Sequence, residues 1–403
     1  MSRKELYLLI TLAVVNFANI VDFMIMMPLG DQLMAYFHVG PQAFSVLVSA
    51  YTLSATVSGL LGTIWLDKMG RKKSMLLLYA GFLLGTFSCG IAPTYYSLLA
   101  ARVLTGAFGG VLASLIFAVV GDVVPMERRG QAMGIVTSSF SVASILGVPL
   151  GLILAAKFSW HAPFFALVAF GLPFFAFLIW QLPPLDGHLA QGHQNTHPFV
   201  AFQNAFAQPK QRHALLFMFV MVLGHFMVIP FIAPTLIANV GLTQDELSYM
   251  YLVGGLSSVI ASPIIGSMSD RFGKDKIFRI FLFLSIIPML LITNLGQVSL
   301  MMVLILSGIF FVISGGRFIP AQAIVTGVVD PHERGRFMSL LSAMQHLGTS
   351  LATLIAGAII TKNANGHLDH YATVGLVASA LFIVTYFMFL RLKKEIEAPI
   401  QSS

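Results

Sequence analysis

Apolar residues in this chain neither alternate nor form stripes. They run in blocks of about 20, each long enough to cross a hydrocarbon core some 30 Å thick, separated by short knots of charged and turn residues. Twelve helical spans are predicted, at 5–30, 42–66, 74–92, 94–120, 131–156 and 162–182, then 213–239, 246–268, 277–294, 298–328, 336–361 and 371–391. One long connection, from Pro183 to Arg212, opens with Pro183-Pro184 and Asp186-Gly187, which are turn residues. It divides the chain into an N-terminal bundle over 1–182, a linker over 183–212 that is expected to be cytoplasmic, and a C-terminal bundle over 213–403. Within the linker, Phe199 to Ala207 is expected to form a short amphipathic helix on the membrane surface.

The two halves echo each other. Asp67, Gly70, Arg71 and Lys73, between spans two and three, recur 203 residues later as Asp270, Gly273, Lys274 and Lys276. The same offset lays Asp22-Phe23-Met24 over His225-Phe226-Met227, each run soon followed by a proline, Pro28 and Pro230. Pro125-Met126-Glu127-Arg128 answers Pro331-His332-Glu333-Arg334 at an offset of 206. Such an internal repeat decides the architecture before any other signal. It predicts an all-α polytopic membrane protein, two six-helix bundles related by a pseudo-twofold axis.

Composition agrees with a lipid solvent. Hydrophobic residues make up 57% of the chain and charged ones 10%, where soluble domains carry about 25% charged. The net charge of +7 has a topological origin: 19 of the 23 Lys and Arg fall on the loops of one side. The opposite loops keep only Lys157 and Lys362, and Arg102 and Arg317 lie within spans. The excess of positive charge on cytoplasmic loops then places both termini in the cytoplasm of a cell inner membrane, with no nucleic-acid partner implied. The single Cys89 excludes an internal disulfide, and Leu6 to Leu29 lacks the pattern of a cleaved signal peptide.

The loop between spans two and three resembles the signature Gly-x-x-x-Asp-Arg-x-Gly-Arg-Lys of the major facilitator superfamily. The second copy fits through Gly266, Asp270, Arg271, Gly273 and Lys274. The first keeps Asp67, Gly70 and Arg71 but has Thr63 where a glycine belongs, with Gly62 beside it. The resemblance covers nearly the whole chain. It implies the major facilitator fold, alternating access, and a role for these loops as a conformational latch between the halves. Arg102 followed by Gly106 resembles the span-four arginine motif of proton-coupled members. Gly147-Val148-Pro149-Leu150-Gly151 resembles the antiporter motif in span five, with the proline shifted by one and Leu152 in place of the second glycine. Together they resemble the drug:proton antiporter and sugar-efflux (arabinose-efflux-type) group, which implies proton-coupled efflux.

Charge inside a membrane is costly and marks function. Clear of the span ends there are one acid, Asp22, and two arginines, Arg102 and Arg317. At 1.5 Å per residue, Asp22 and Arg102 both lie about 12 Å from the outer face and can meet. Asp22 is therefore the candidate proton carrier and Arg102 its switchable partner; a static ion pair locking two helices is the alternative. His225 and Arg317, with Gln322, Gln345 and His346, come out near the midplane, where repeat-built transporters hold substrate. With Met26 they form the candidate substrate site. Met24 and Met27 around Asp22, and Met218, Met221 and Met227 around His225, suit a soft apolar lining. The Ser138, Ser139, Ser141 and Ser144 hydroxyls suit a sugar equally well.

The expected substrate is a small amphipathic or anionic organic compound; sugar or lysolipid transport, or a uniporter or symporter without an export role, is the alternative. No nucleotide-binding loop or Gly-x-Ser-x-Gly elbow occurs, and His188, His193 and His197 sit among linker residues. Neither an enzyme, a metal site nor a cofactor is expected, and the energy source is the proton gradient. The protein is expected to act as a monomer in the lipid bilayer, its partners a small-molecule substrate and protons.

Overall fold

The structure is a computed structural model, which describes residues 3–66, 69–125, 128–183, 203, 205–329 and 334–397. Eleven helices among the described residues are long and apolar enough to cross a membrane. The N-terminal half contains α1 (Arg3–Ile25), α2 (Pro41–Leu66), α3 (Arg71–Gly90), α4 (Tyr95–Val123), α5 (Arg129–Lys157) and α6 (Ala162–Gln181). The C-terminal half contains α7 (Pro209–Val240), α8 (Gln244–Phe272), α9 (Lys274–Thr293), α10 (Leu300–Thr326) and α12 (Tyr371–Glu397). Between α10 and α12 lies α11 (Arg334–Ile359), 26 residues long, which completes twelve. Phe199–Ala207 falls largely outside the described residues, although 205–207 are helical.

Two predicted spans differ in their ends. The first was expected to reach residue 30, but α1 stops at Ile25 and a separate helix, Gly30–Phe37, follows. Pro28 has no N–H to continue the ladder, and the chain turns there. The seventh starts at Pro209 rather than 213, because proline is well tolerated in the first turn of a helix. Local chemistry sets other starts. Thr94 caps α4 by accepting from Ser97 N at 3.2 Å, and Thr243 caps α8 by accepting from Glu246 N at 3.3 Å, both in reciprocal capping boxes.

Large apolar side chains cover the outside: Trp180 is 82% exposed, Tyr96 78% and Phe387 63%. A surface of that kind belongs against lipid. "Inner" denotes the end carrying the basic loops, and "outer" the other.

The halves meet through α2 against α11 and α5 against α8. Among the described residues, the hydrogen bond and ring pairs joining them lie toward the outer side. Ser350 Oγ donates to Ser49 O at 3.3 Å, the Phe44 and Phe231 rings meet at 5.6 Å, and Phe23 and Phe226 at 6.3 Å. Phe23 and Phe226 are partners in the 203-residue echo, so their contact marks the pseudo-twofold axis.

Candidate functional site

α1 brings Asp22 into the interior of the N-terminal half, where neither it nor Arg102 has any exposed side chain. Arg102 Nη1 donates to Asp22 Oδ2 at 2.7 Å. Thr86 Oγ1, from α3, donates to Asp22 Oδ1 at 3.1 Å. The Tyr51 ring of α2 lies 4.7 Å from the Arg102 guanidinium, an attraction between cation and ring face. Tyr51 Oη in turn donates to Asn19 Oδ1 at 2.8 Å, and Asn19 Nδ2 donates to Gly109 O at 3.1 Å. A turn further in, Asn16 Nδ2 donates to Ser139 Oγ at 2.7 Å. Asp22, Asn19 and Asn16 are spaced by three, so one face of α1 carries a polar ladder from the acid toward the inner side. Arg102 keeps Nε and Nη2 buried and unpartnered.

Repeat-equivalent helices build a second buried site. Arg317 on α10 approaches His225 on α7, with Nη2 2.8 Å from Nδ1, and donates through Nη1 to Ser285 Oγ on α9 at 2.7 Å. Its guanidinium lies 4.0 Å from the Phe382 ring of α12. Arginine only donates, so His225 Nδ1 must be the acceptor, and the ring is the neutral Nε2–H tautomer. His225 and Arg317, expected only to share a depth, are therefore in direct contact. The pair sits in the interior of the bundle: Arg317 is fully buried, and it does not line an open cavity in this conformation.

The remaining expected substrate residues are not drawn to that pair. Gln322, Gln345 and His346 are half-buried, and among the described residues no hydrogen bond or ring contact ties their side chains to Arg317. Met26 is fully buried in the outer core. The expected soft lining is largely core as well, since Met27, Met218, Met221 and Met227 are buried there.

Span five does something the sequence only partly foretold. Its α-helix gives way to a π-helical turn at Ala143–Gly147, then resumes with Pro149 near the new start. A Cβ on Gly147 would collide with Val21 Cγ2, and one on Gly151 would stand 2.7 Å from Ile25 Cδ1. The two glycines let α5 press against α1 on either side of Asp22. On its other side, the Ser144 backbone packs on Gly255 of α8.

At the inner loops, Asp67 lies outside the described residues. Gly70 precedes α3 with φ −57°, whereas Gly273 sits at φ 93°, where only glycine is unstrained. The echoed glycines thus serve different backbones. Arg71 Nε pairs with Asp122 Oδ2 of α4 at 3.2 Å, Arg271 lies 5.3 Å from the Phe272 ring, and Asp270 is exposed. Among the described residues no cluster of His, Cys, Asp or Glu is arranged to hold a metal ion.

Twelve helices in two halves, each with a buried arginine site and joined around one axis, define a multi-pass membrane transporter of the two-bundle kind. The profile of the Major Facilitator Superfamily matches residues 12–227 and again 214–403, and the chain belongs to that superfamily. It is 27% identical over 383 residues to the uncharacterized MFS-type transporter YceJ of Bacillus subtilis (strain 168), with 93% of each chain covered. It is 25% identical over 358 residues to the inner membrane transport protein YdhP of Escherichia coli (strain K12), with 88% of each covered. The crystal structure of a D-xylose-proton symporter matches with a TM-score of 0.77 at 15% identity, over 96% of this chain and 97% of that one. At that identity the likeness speaks for the fold alone. The protein is a transporter and not an enzyme.

Proposed function

We propose that the protein is a proton-coupled secondary transporter of the inner membrane that exports a small amphipathic or anionic organic compound by alternating access. The observation that carries this reading is the fully buried Asp22–Arg102 pair, 2.7 Å apart and joined by Thr86. Contact with a guanidinium and burial act in opposite senses on a carboxylate's charge, so a displacement that parts such a pair changes its affinity for a proton. Such a pair converts a helix displacement into proton capture or release. The outer contacts between the halves fit a carrier shut on its outer side, and the inner loops carrying Asp67, Arg71, Asp270 and Arg271 act as its latch.

Export by exchange is supported by α5, whose Gly147 and Gly151 hold it against the helix bearing Asp22. Any shift of α5 against α8 is then felt at the acid. A second reading, co-transport of the proton with an anion, is favoured by one different observation: Arg317 adds buried positive charge with no acid beside it among the described residues.

Infrared titration of the purified protein tests the core of the proposal without knowledge of the substrate. A protonated-carboxyl stretch should grow on acidification and be missing from Asp22→Asn. A band that persists unchanged in the variant would remove Asp22 from the role.

A further inference from the structure

The two buried sites are built alike and charged differently. Each takes a side chain from the first helix of its half, a hydroxyl from the third and an arginine from the fourth: Asp22, Thr86 and Arg102 against His225, Ser285 and Arg317. The hydroxyls have reversed their task. Thr86 donates to an acid, whereas Ser285 accepts from the arginine and donates its own hydrogen bond to Leu282 O at 2.7 Å. The first site is neutral as a unit. In the second a neutral histidine stands where the echo has aspartate, and no salt bridge reaches Arg317 among the described residues. Its Nε is buried without a partner.

An arginine cannot shed its proton to escape this cost. His225, Phe226, Phe23 and Tyr51 form an unbroken series of ring contacts, at 5.4, 6.3 and 5.4 Å, that leads from Arg317 to the Arg102 site across the pseudo-twofold axis. Arg317 thus lies about one aromatic layer behind the junction of the halves. Resting on the reading of Asp22 as proton carrier, we infer that the missing counter-charge is supplied by the cargo: the substrate is an organic anion, attracted to the junction at Phe23 and Phe226 by the charge of Arg317. A carboxylate held about 8 Å from the guanidinium, at an effective dielectric constant near 20, binds roughly thirty-fold tighter than its uncharged isostere. Such an anion also favours the state in which Asp22 carries a proton, because the two negative charges repel. Proton and substrate then bind together, as in the second reading given under the proposed function. The other ionisable side chains around Asp22 and Arg102 are Tyr51 and Cys89, and His225 is the one beside Arg317.

Matched ligands test this in lipid nanodiscs. Carboxylates, primary amides and amines sharing phenylbutyl, naphthylmethyl or octyl bodies are titrated calorimetrically in two buffers of different ionisation enthalpy. Carboxylates are expected to bind at least tenfold tighter than their amides and to take up a proton on binding. His225→Asp supplies the acid internally and copies a pair that the fold already tolerates; Arg317→Gln removes the charge but keeps hydrogen bonding. Both should erase the preference for carboxylates. Asp22→Asn should keep the preference and lose the linked proton, so a failure of the proton reading is distinguishable from a failure of the anion reading. Binding confined to amides or amines, absence of any carboxylate ligand, or a carboxylate preference surviving in both charge variants overturns the inference.

Discussion

Replacing Asp22 with asparagine removes one charge from a pair in which both side chains are wholly buried. Shape and hydrogen bonding survive, because the amide oxygen can turn to Arg102 Nη1 while Thr86 Oγ1 accepts from the amide nitrogen. What is lost is the attraction that offsets the burial of Arg102, whose Nε and Nη2 already lack partners. Leaving one member of a buried pair uncompensated costs about 3–5 kcal/mol. Asparagine, however, imitates a state that a proton carrier has to visit in each cycle. The cost must then lie within reach of the membrane gradient, which supplies about 2.3 kcal/mol per 100 mV. The lower end of the range, about 3 kcal/mol, is therefore expected.

Unfolding in mixed micelles with increasing SDS, followed by circular dichroism, measures this loss. At neutral pH Asp22→Asn should be less stable than the native protein, and the difference should shrink on acidification as native Asp22 also becomes neutral. Adding Arg102→Gln to the variant should recover most of the loss, since it removes the stranded cation, and the cycle should show strong coupling. Strictly additive effects, or a difference that ignores pH, would refute the reasoning and leave a pair without any part in proton transfer.

Three other outcomes are expected. Gly147→Leu drives a side chain into Val21 and Phe17, so α5 must move off α1; folding yield should drop and infrared titration of Asp22 should shift, whereas a native-like titration would argue against α5 controlling the acid. Arg71→Ala breaks a half-exposed pair with Asp122 and should cost under about 1 kcal/mol, yet spin-label distances across the inner loops should redistribute; unchanged distances would deny the latch. Asp31, in the short outer helix, has its carboxyl raised above the usual range by burial, with Lys362 from the other half pulling it back. An acid raised in the outer-closed state binds its proton more tightly there, so falling pH should favour closure, and Asp31→Asn should flatten that dependence in outer spin-label distances.

Most of the fold was legible because membrane spans are a length and hydropathy problem, and because the echo doubled every landmark. The helix breaks were less so. Pro28 was visible, but whether the chain resumes as helix at Gly30 depends on what covers it, and there Phe44 and Pro234 do. The meeting of Asp22 with Arg102 followed from depth along two helices, which needs only the rise per residue. Depth carries no azimuth. Thr86, Tyr51 and Ser285 escaped notice because a hydroxyl in an apolar helix is common, and nothing local says which one faces an ion pair. Asn16 and Asn19 did leave a signal, a polar stripe at spacing three below the one deep acid. For the same reason a depth could be assigned to Arg317 but not a facing direction, and its side chain is buried beside His225.

That last difference bears on how the halves divide their work. Arg317 follows Arg102 by 215 residues rather than 203, so the duplication alone does not pair them; only packing does. By helical rise Arg317 lies some 26 Å below the start of α10, against about 11 Å for Arg102 below the start of α4. Along their helices Arg102 thus stands nearer the outer end and Arg317 deeper, although the Phe23–Phe226 contact keeps Asp22 and His225 close to one level at the axis. On the co-transport reading, an inward-moving anion would feel increasing attraction past the acid, and a proton bound at Asp22 would remove a negative charge on its route. If the two arginines had kept equal depth, both sites would compete for the same position on the axis. On the readings proposed above, their stagger would let one half hold the proton while the other holds the field that attracts the cargo.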